Sequence, residues 1–300
     1  MSVIECKDVT KVYRNAHALN GLSFQIEENK ITGVIGRNGA GKTTMLKVLA
    51  GFLKETSGEV NVFNERPFNN LKVSANLIFV DDQMSLPATL TLSEILEAAK
   101  SFYENWDMEL AQRLFEYFSF NPSQNHHQLS KGMKSTFNMI LGLSARCALT
   151  IFDEPTTGMD EAVRKDFYRA LLKDYLAYPR TVLLSSHHLS EIEDLLEDVL
   201  LIKEGKTCLH LSLTELKERA IRLSGETAEI DRIVSGKEVY DSKTDASGRS
   251  YVVVKNEFSE STLQEAKWNG IEISAVAPAD LCVYVTNKTK GGIDDVFNRG

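Results

Sequence analysis

The sequence of 300 residues predicts an α/β fold, with a mostly parallel sheet covered by helices and a small α+β domain after it. Two observations predict the first part. Apolar runs of strand length alternate with helical patterns, as expected for a parallel sheet buried on both faces. A glycine-rich loop at residues 36–44 also lies between such a run and an amphipathic helix. Past about Thr214 the strands become shorter and more polar, which predicts a separate domain.

The glycine-rich loop matches the pattern G-x-x-x-x-G-K-[ST] of phosphate-binding loops. The apolar run 31–35 before it predicts a buried strand, and residues 44–53 after it predict a helix. Glycines let the backbone approach a phosphate chain, and the positive end of the following helix adds to the attraction. Lys42 reaches the β- and γ-phosphates in this motif, and the Thr43 hydroxyl ligates Mg²⁺. The residues expected to contact the nucleotide are Gly36, Arg37, Asn38, Gly39, Ala40, Gly41, Lys42, Thr43 and Thr44.

Composition and charge narrow the function class. A net charge of −8 argues against a broad basic face for nucleic acid. The four cysteines are scattered without C-x-x-C spacing, which favours reduced thiols over a metal site or a disulfide framework. The sequence shows no signal peptide and no run of about 18 apolar residues. We therefore expect a cytosolic protein that does not span a membrane by itself.

The first 27 residues predict short strands at 3–6 and 22–26, with a turn at 14–16. Tyr13 directly precedes that turn. Its ring either packs beneath the strand or offers a flat face on which a purine stacks. The residues alone leave both interpretations open.

The chain after the loop continues the alternation of strands and helices. The predicted strands are 58–63, 77–80, 148–152 and 180–184, followed by a hairpin of 199–202 with 208–211. The predicted helices are 92–103, 108–118, 134–146, 160–178 and a short acidic one at 189–197. His126 and His127 lie in a loop and are expected to be solvated, because no further metal ligand stands at helical spacing.

Polar side chains follow several of these strands at the point where each ends. Gln83 comes after the strand 77–80, Asp153 and Glu154 after 148–152, and His187 after 180–184. Functional groups gather at the carboxyl ends of strands in a doubly wound sheet. An exposed acidic turn is the alternative for the two carboxylates, but their place directly after an apolar strand disfavours it. His188 competes with His187 and is expected to start the next helix and face solvent.

The order and spacing of these motifs over residues 2–215 resemble the ATP-binding subunits of ABC transporters, most of all those of bacterial drug, peptide and antibiotic export. The matching positions are Tyr13 as the adenine-stacking residue, the phosphate loop, Gln83 of the Q-loop, residues 129–133 as the signature, residues 151–155 as the Walker B strand, residues 157–160 with Asp160 as the D-loop, and His187 as the switch histidine.

The resemblance implies an ATPase with ATP and Mg²⁺ as its ligands. Thr43 and Gln83 would bind Mg²⁺ directly, and Asp153 would hold it through water. Glu154 would orient and deprotonate the attacking water, while His187 would contact the γ-phosphate and keep the water in line.

The signature implies a site shared between two copies. Ser130 and Gly132 would donate to the γ-phosphate of the ATP held by the opposite subunit. Lys131 and Met133 depart from the common Leu-Ser-Gly-Gly-Gln form. Lys131 adds positive charge near those phosphates, which would tighten ATP binding.

The resemblance also implies partners and a place in the cell. A second ATPase subunit, identical or related, would close around two ATP molecules, and the pair would drive a separately encoded transmembrane permease from the inner face of the membrane. Leu92, Ile95, Leu96 and Phe102 either line the groove that receives the permease or form ordinary core. The alternatives are an importer subunit with a C-terminal regulatory domain and a soluble ABC ATPase that acts outside transport; a phosphotransfer kinase is disfavoured. The expected domains are residues 1–215, with a helical subdomain at about 84–146, and residues 216–300.

Overall fold

The computed structural model describes residues 2–245 and 248–287. The chain divides into two compact units, and the division falls after His210. The first unit contains the phosphate loop and every strand end singled out above. Among the described residues, no helix is both long and apolar enough to cross a membrane.

The strands of the first unit are β1 (Ser2–Tyr13), β2 (Ala16–Glu27), β3 (Ile31–Ile35), β4 (Ser57–Val62), β5 (Leu77–Val80), β6 (Leu149–Asp153), β7 (Thr181–Ser186), β8 (Asp198–Lys203) and β9 (Lys206–Ser212), the last of which runs two residues past the division. The helices of the first unit are α1 (Lys42–Leu49), α2 (Leu71–Ala75), α3 (Leu92–Phe102), α4 (Met108–Tyr117), α5 (Lys131–Ser144) and α6 (Glu161–Ala177). Short 3₁₀ turns lie at His126–Gln128, Leu189–Glu191 and Glu193–Leu195.

The central sheet has six strands in the order β5-β6-β7-β3-β8-β9. Strands β5, β6, β7, β3 and β8 pair in parallel. Strands β8 and β9 are joined by the two-residue turn Glu204 and Gly205, both at positive φ, as in a tight hairpin. Strands β3, β5, β6 and β7 are buried along their whole length, because helices cover both faces of a parallel sheet. The predicted α/β fold with a mostly parallel sheet is confirmed.

Strands β1 and β2 are twelve residues each, much longer than the short strands predicted. They form an antiparallel sheet in the order β2-β1-β4. The register of β1 against both of its neighbours, β2 and β4, shifts across Asp8, which has a φ of 49°. A bulge of this kind interrupts the alternation of apolar and polar residues, so the sequence pattern suggested several short strands.

Helix α1 lies between the two sheets. Its residues Met45, Leu46, Val48 and Leu49 are buried in one cluster with residues of both sheets. This packing holds the N-terminus of α1, and hence the end of the phosphate loop, at the carboxyl end of β3. The helix is shorter than predicted because Gly51, at a φ of 76°, ends it.

The acidic helix predicted at residues 189–197 is wrong. The segment forms two short 3₁₀ turns instead. Leu189, Ile192 and Leu196 are buried, and the Glu197 N–H donates to the Ile31 carbonyl at 3.0 Å. Anchoring these side chains against the sheet prevents a continuous helix, although the apolar spacing suits one.

The second unit contains α7 (Leu213–Glu218), β10 (Ala220–Glu226), α8 (Thr227–Val234), β11 (Val239–Thr244), β12 (Arg249–Lys255), α9 (Glu260–Trp268), β13 (Glu272–Ala275) and α10 (Pro278–Thr286). Its four strands pair antiparallel in the order β11-β12-β10-β13. The chain order β-α-β-β-α-β with this strand order is the ferredoxin-like arrangement. Its core includes Leu223, Ile230, Val252, Val254 and Ile271. Strands β11 and β12 follow each other in the chain, and residues 246 and 247 between them lie outside the described residues.

Candidate nucleotide site

The phosphate loop wraps a cleft of ≈510 Å³ at the carboxyl end of β3. Gly41 has a φ of 106°, and a Cβ there would lie 2.6 Å from the Ala18 carbonyl oxygen. Only glycine satisfies both conditions. The residues that line the cleft are Tyr13, Ala18, Arg37, Asn38, Gly39, Ala40, Gly41, Lys42, Thr43, Thr44, Glu154, Thr157 and His187.

Lys42 is buried at the bottom of this cleft. Its ammonium donates to the Gly36 carbonyl at 2.7 Å and lies 3.4 Å from Oε1 of Glu154. Gly36 itself does not line the cleft; a Cβ there would lie 2.6 Å from the Ile202 carbonyl oxygen. A buried ammonium next to backbone N–H groups makes a strongly anion-attracting site.

Glu154 lies between two cationic or potentially cationic side chains. Its Oε2 lies 2.8 Å from Nδ1 of His187, and its Oε1 faces Lys42. Its backbone has a φ of 47°, which turns the side chain out of the strand direction of β6. The carboxylate is therefore presented at the cleft with one partner on each oxygen. His188 is exposed and precedes the 3₁₀ turn at Leu189–Glu191.

Ser185 holds both acidic residues of the β6 end, a role that the sequence did not suggest. Its hydroxyl donates to Oδ1 of Asp153 at 2.6 Å and accepts from the Glu154 N–H at 2.8 Å. The sequence does show a serine near the end of β7, and β7 pairs with β6, whose end carries Asp153 and Glu154. A hydroxyl at that position could have indicated this role. Asp153 itself is buried and does not line the cleft.

Gln83 is not brought into the phosphate-loop cleft. It lines a second cleft of ≈450 Å³, together with Phe52, Phe79, Met84 and Tyr103 among others. Its amide Nε2 donates to Oδ1 of Asp82 at 3.1 Å. The structure therefore groups Lys42, Glu154 and His187 in one cleft and leaves Gln83 beside it.

The oxygen donors around the phosphate loop fit Mg²⁺. A hydroxyl from Thr43 lines the cleft, and the carboxylate of Asp153 stands at the end of β6. Hydroxyl, carboxylate and amide oxygens are the ligands that Mg²⁺ takes beside substrate phosphates. Among the described residues, no group of three or more His, Cys, Asp or Glu side chains is arranged to hold a metal.

Tyr13 ends β1 at the mouth of the cleft. Its side chain is 43% exposed, and the ammonium of Lys11 lies 5.3 Å from the ring centroid. An exposed ring that lines the cleft is not packed beneath the strand. Of the two interpretations, the structure favours a stacking surface.

The signature residues lie outside the cleft of their own chain. Ser130 caps α5 and accepts from the Met133 N–H at 3.3 Å. A Cβ on Gly132 would lie 2.3 Å from the Gly158 carbonyl oxygen, so α5 begins in close contact with the D-loop. Asp160 caps α6 and accepts from the Val163 N–H at 2.9 Å. None of these three predicted contacts reaches the phosphate loop of the same chain.

His126 is buried, contrary to the solvated loop histidine expected from the sequence. Its Nε2 lies 2.9 Å from Oδ1 of Asn138, and the Asn138 amide donates to the Asp81 carbonyl at 3.1 Å. Burial lowers the pKa of His126, although the Asn138 hydrogen bond opposes that shift. His127 is exposed, as expected.

Comparison with known proteins decides the family. The family model described as "ABC transporter" matches residues 19–157. The bacitracin transport ATP-binding protein BcrA of Bacillus licheniformis is 31% identical over 223 residues, which cover 73% of this chain and 72% of BcrA. The chain belongs to the ABC transporter family.

Further relatives are also ABC transporter ATP-binding proteins. YtrB of Bacillus subtilis (strain 168) is 26% identical over 278 residues, 91% of this chain and 95% of YtrB. The SkfA peptide export ATP-binding protein SkfE of the same organism is 27% identical over 237 residues, 75% of this chain and 98% of SkfE.

Solved structures of ABC ATP-binding subunits share the fold. One described as the ATP-binding subunit of an ABC transporter has a TM-score of 0.64 at 24% identity and covers 72% of this chain and 92% of its own. The dimeric cassette MJ0796 bound to ADP and Pi has a TM-score of 0.62 at 22% identity and covers 70% and 98%. The protein is accordingly an ABC ATPase, as the sequence predicted.

Proposed function

We propose that this ABC ATPase dimerises around two ATP molecules and powers a separately encoded permease that exports drugs, peptides or antibiotics. The observation that supports the proposal most directly is the separation of two half-sites. Lys42, Glu154 and His187 share one cleft, whereas Ser130 and Gly132 lie outside it. A second copy with the same two surfaces would complete each cleft in a closed, two-fold arrangement.

Hydrolysis would follow from the groups at the cleft. The terminal phosphates would draw Lys42 away from Glu154, because several phosphate charges outcompete a single carboxylate for the ammonium. Glu154 would then be free on one oxygen to accept a proton from the attacking water. His187 would hold the other oxygen and orient the carboxylate. Ser185 would keep Asp153 and the Glu154 backbone in register across β6 and β7.

Thr43, Asp153 and Gln83 are the residues that would hold Mg²⁺ beside ATP. When bound, the ion would neutralise charge that develops on the phosphate oxygens. Gln83 would first have to leave its hydrogen bond to Asp82. Because Gln83 lines the second cleft, a partner that binds there would change how readily Gln83 reaches the nucleotide site.

The second cleft is our candidate for permease docking. Phe52, Phe79, Met84 and Tyr103 give it apolar walls, and Gln83 stands at its edge. Of the two alternatives for Leu92, Ile95 and Leu96, their burial supports ordinary core packing over a docking groove. Phe102 is 77% exposed and remains available to a partner.

Export is supported by the relatives. BcrA is described as a bacitracin transport protein and SkfE as a peptide export protein. Because the ATPase would act on a membrane permease, we propose that it binds as a peripheral subunit at the inner face of the cell membrane. We expect no nucleic-acid partner.

The dimer is tested with a Glu154→Gln variant, which keeps the cleft but removes the base. We expect it to sediment as a dimer with excess ATP and as a monomer without nucleotide. Glu154→Gln combined with Lys42→Ala is the control and should stay monomeric. A Glu154→Gln protein that remains monomeric at saturating ATP, with ATP binding verified, would refute the composite site.

The transport role is tested separately. We expect a multi-span membrane protein, encoded next to this chain, to co-purify from detergent-extracted membranes. In vesicles that carry both proteins with the ATPase on the outside, ATP-driven accumulation of substrate in the lumen would support export. Loss of preloaded substrate from the lumen would indicate import. Failure of any membrane protein to co-purify would favour a non-transport ATPase.

A further inference from the structure

The signature lysine is paired within its own chain. Nζ of Lys131, the first residue of α5, lies 3.1 Å from Oδ2 of Asp82 in the segment after β5. The Lys131 side chain is 60% exposed and the Asp82 side chain 28%. The pair therefore joins the signature turn to the segment that includes Gln83.

The Lys131 ammonium stands at the N-terminus of α5, which is an unfavourable position for a cation. The N-terminus of a helix is the positive end of its dipole, where cations are disfavoured. No acidic residue lies in the first turn of α5. Asp82 supplies the negative charge that this turn lacks.

Asp82 is the fixed partner, because its segment is tied to the fold. The Asn138 amide donates to the Asp81 carbonyl at 3.1 Å, and the Gln83 amide donates to the other Asp82 oxygen at 3.1 Å. The carboxylate is thus held in place, while the long, flexible lysine stem is the mobile side.

We propose that Lys131 exchanges partners, with Asp82 holding it in the open protein and the terminal phosphates of the second copy's ATP taking it over on closure. The proposal rests on the dimer proposed above, in which Ser130 and Gly132 flank Lys131 at those phosphates. An ion pair this exposed is weak, and a triphosphate offers more negative charge than one carboxylate. Asp82 is therefore a positioning residue, which sets how readily Lys131 reaches ATP.

The test is the ATP concentration at half-maximal dimerisation, measured by sedimentation in the Glu154→Gln background. Asp82→Asn releases Lys131, and we expect the midpoint to fall about two- to fivefold, as for loss of one exposed pair. Lys131→Met removes the phosphate contact, and we expect the midpoint to rise. Asp82 also accepts a hydrogen bond from the Gln83 amide, and the double variant separates the two partners. It should match Lys131→Met alone; a midpoint below that of Lys131→Met would show that Asp82 acts through Gln83 and would refute the exchange. Asp82→Ser serves in place of Asp82→Asn if the latter does not fold.

A matched ion pair provides the control. Lys72 and Glu65 lie 3.0 Å apart with exposures of 65% and 42%, and neither lines the nucleotide cleft. Lys72→Met and Glu65→Gln should leave the midpoint unchanged.

The sign of the two single effects decides the matter. If Asp82→Asn and Lys131→Met both raise the midpoint, the pair is a structural brace and the exchange is refuted. If Asp82→Asn leaves it unchanged while the Glu154→Gln parent dimerises, the exchange alone fails. If the parent never dimerises, the failure lies with the composite site.

Discussion

Nδ1 of His187 lies 2.8 Å from Oε2 of Glu154, across the ends of two adjacent parallel strands. The imidazole is about half exposed at the cleft, and the carboxylate is less exposed. Because Glu154 bonds His187 with one oxygen and faces Lys42 with the other, its orientation depends on both neighbours. We therefore expect His187 to act chiefly by orienting the base.

Replacement of His187 by alanine should lower the turnover of ATP at least about 100-fold, since a misplaced base loses most of its contribution. ATP affinity should change little, because Lys42 and the loop backbone remain. Phosphate release at saturating ATP, together with a fluorescent-nucleotide titration, measures both quantities. His188→Ala is the matched control and should keep nearly full turnover; equal losses in the two variants would contradict the assignment.

Replacement of Gly132 by alanine should abolish ATP-dependent dimerisation while the monomer still binds ATP. A Cβ there would lie 2.3 Å from the backbone oxygen of Gly158, so the signature turn or the D-loop must shift. Sedimentation with and without ATP in the Glu154→Gln background tests this expectation. A variant that dimerises at the parent ATP concentration would show that the signature turn does not contact nucleotide.

Asp174 on α6 is buried and pairs with two arginines from other segments of the chain. Its carboxylate lies 3.0 Å from Arg146 and 2.7 Å from Arg180. Asp174→Ala leaves two arginines without this partner, and we expect the free energy of unfolding to fall by about 3–5 kcal/mol. Urea denaturation measures the change. Lys165→Ala removes an exposed pair with Glu161 and should cost less than about 1 kcal/mol; similar losses would contradict the role of burial.

The stability of the protein should decrease as the pH falls below about 6.5, in part because of His126. Burial lowers the folded-state pKa of His126, so the unfolded chain binds a proton that the folded chain does not. Stability that depends on the neutral ring is present above the unfolded pKa and is lost below it, by up to about 1.4 kcal/mol per pH unit.

Denaturation of the wild type and of His126→Gln at pH 7.5 and 5.5 measures how much of the pH-dependent loss of stability comes from His126. The variant should lose less stability between the two pH values than the wild type. His127→Gln, at an exposed neighbour, should behave like the wild type. A His126→Gln protein with unchanged pH dependence would show that the ring does not titrate differently on folding.

Local patterns in the sequence were enough to place the phosphate loop between β3 and α1 and to bring Glu154 and His187 to one sheet edge. Both depend on short runs whose structural context is strongly constrained. The parallel character of the central sheet followed from the unbroken apolar runs that alternate with helices. Positions at strand ends were therefore predictable without knowledge of tertiary contacts.

Contacts between distant segments were not predictable in the same way. The Asp82–Lys131 pair joins residues far apart in the chain, and neither residue alone indicates the other. The burial of His126 depends on Asn138 from the next helix. Its own loop segment gives no sign of that contact, so the sequence predicted a solvated side chain. Gln83 failed to reach the cleft because Asp82 binds its amide, an interaction between adjacent side chains that spacing does not reveal.

The positive φ of Glu154 means that the bend at the end of β6 is kept at a cost. A residue other than glycine in left-handed backbone costs about 1–2 kcal/mol. Glycine would relieve that strain, but it would leave the buried Lys42 ammonium without the carboxylate that faces it, and breaking a buried pair costs more than the strain. The contacts to Lys42 and His187 therefore offset the strained backbone as well as orienting the carboxylate.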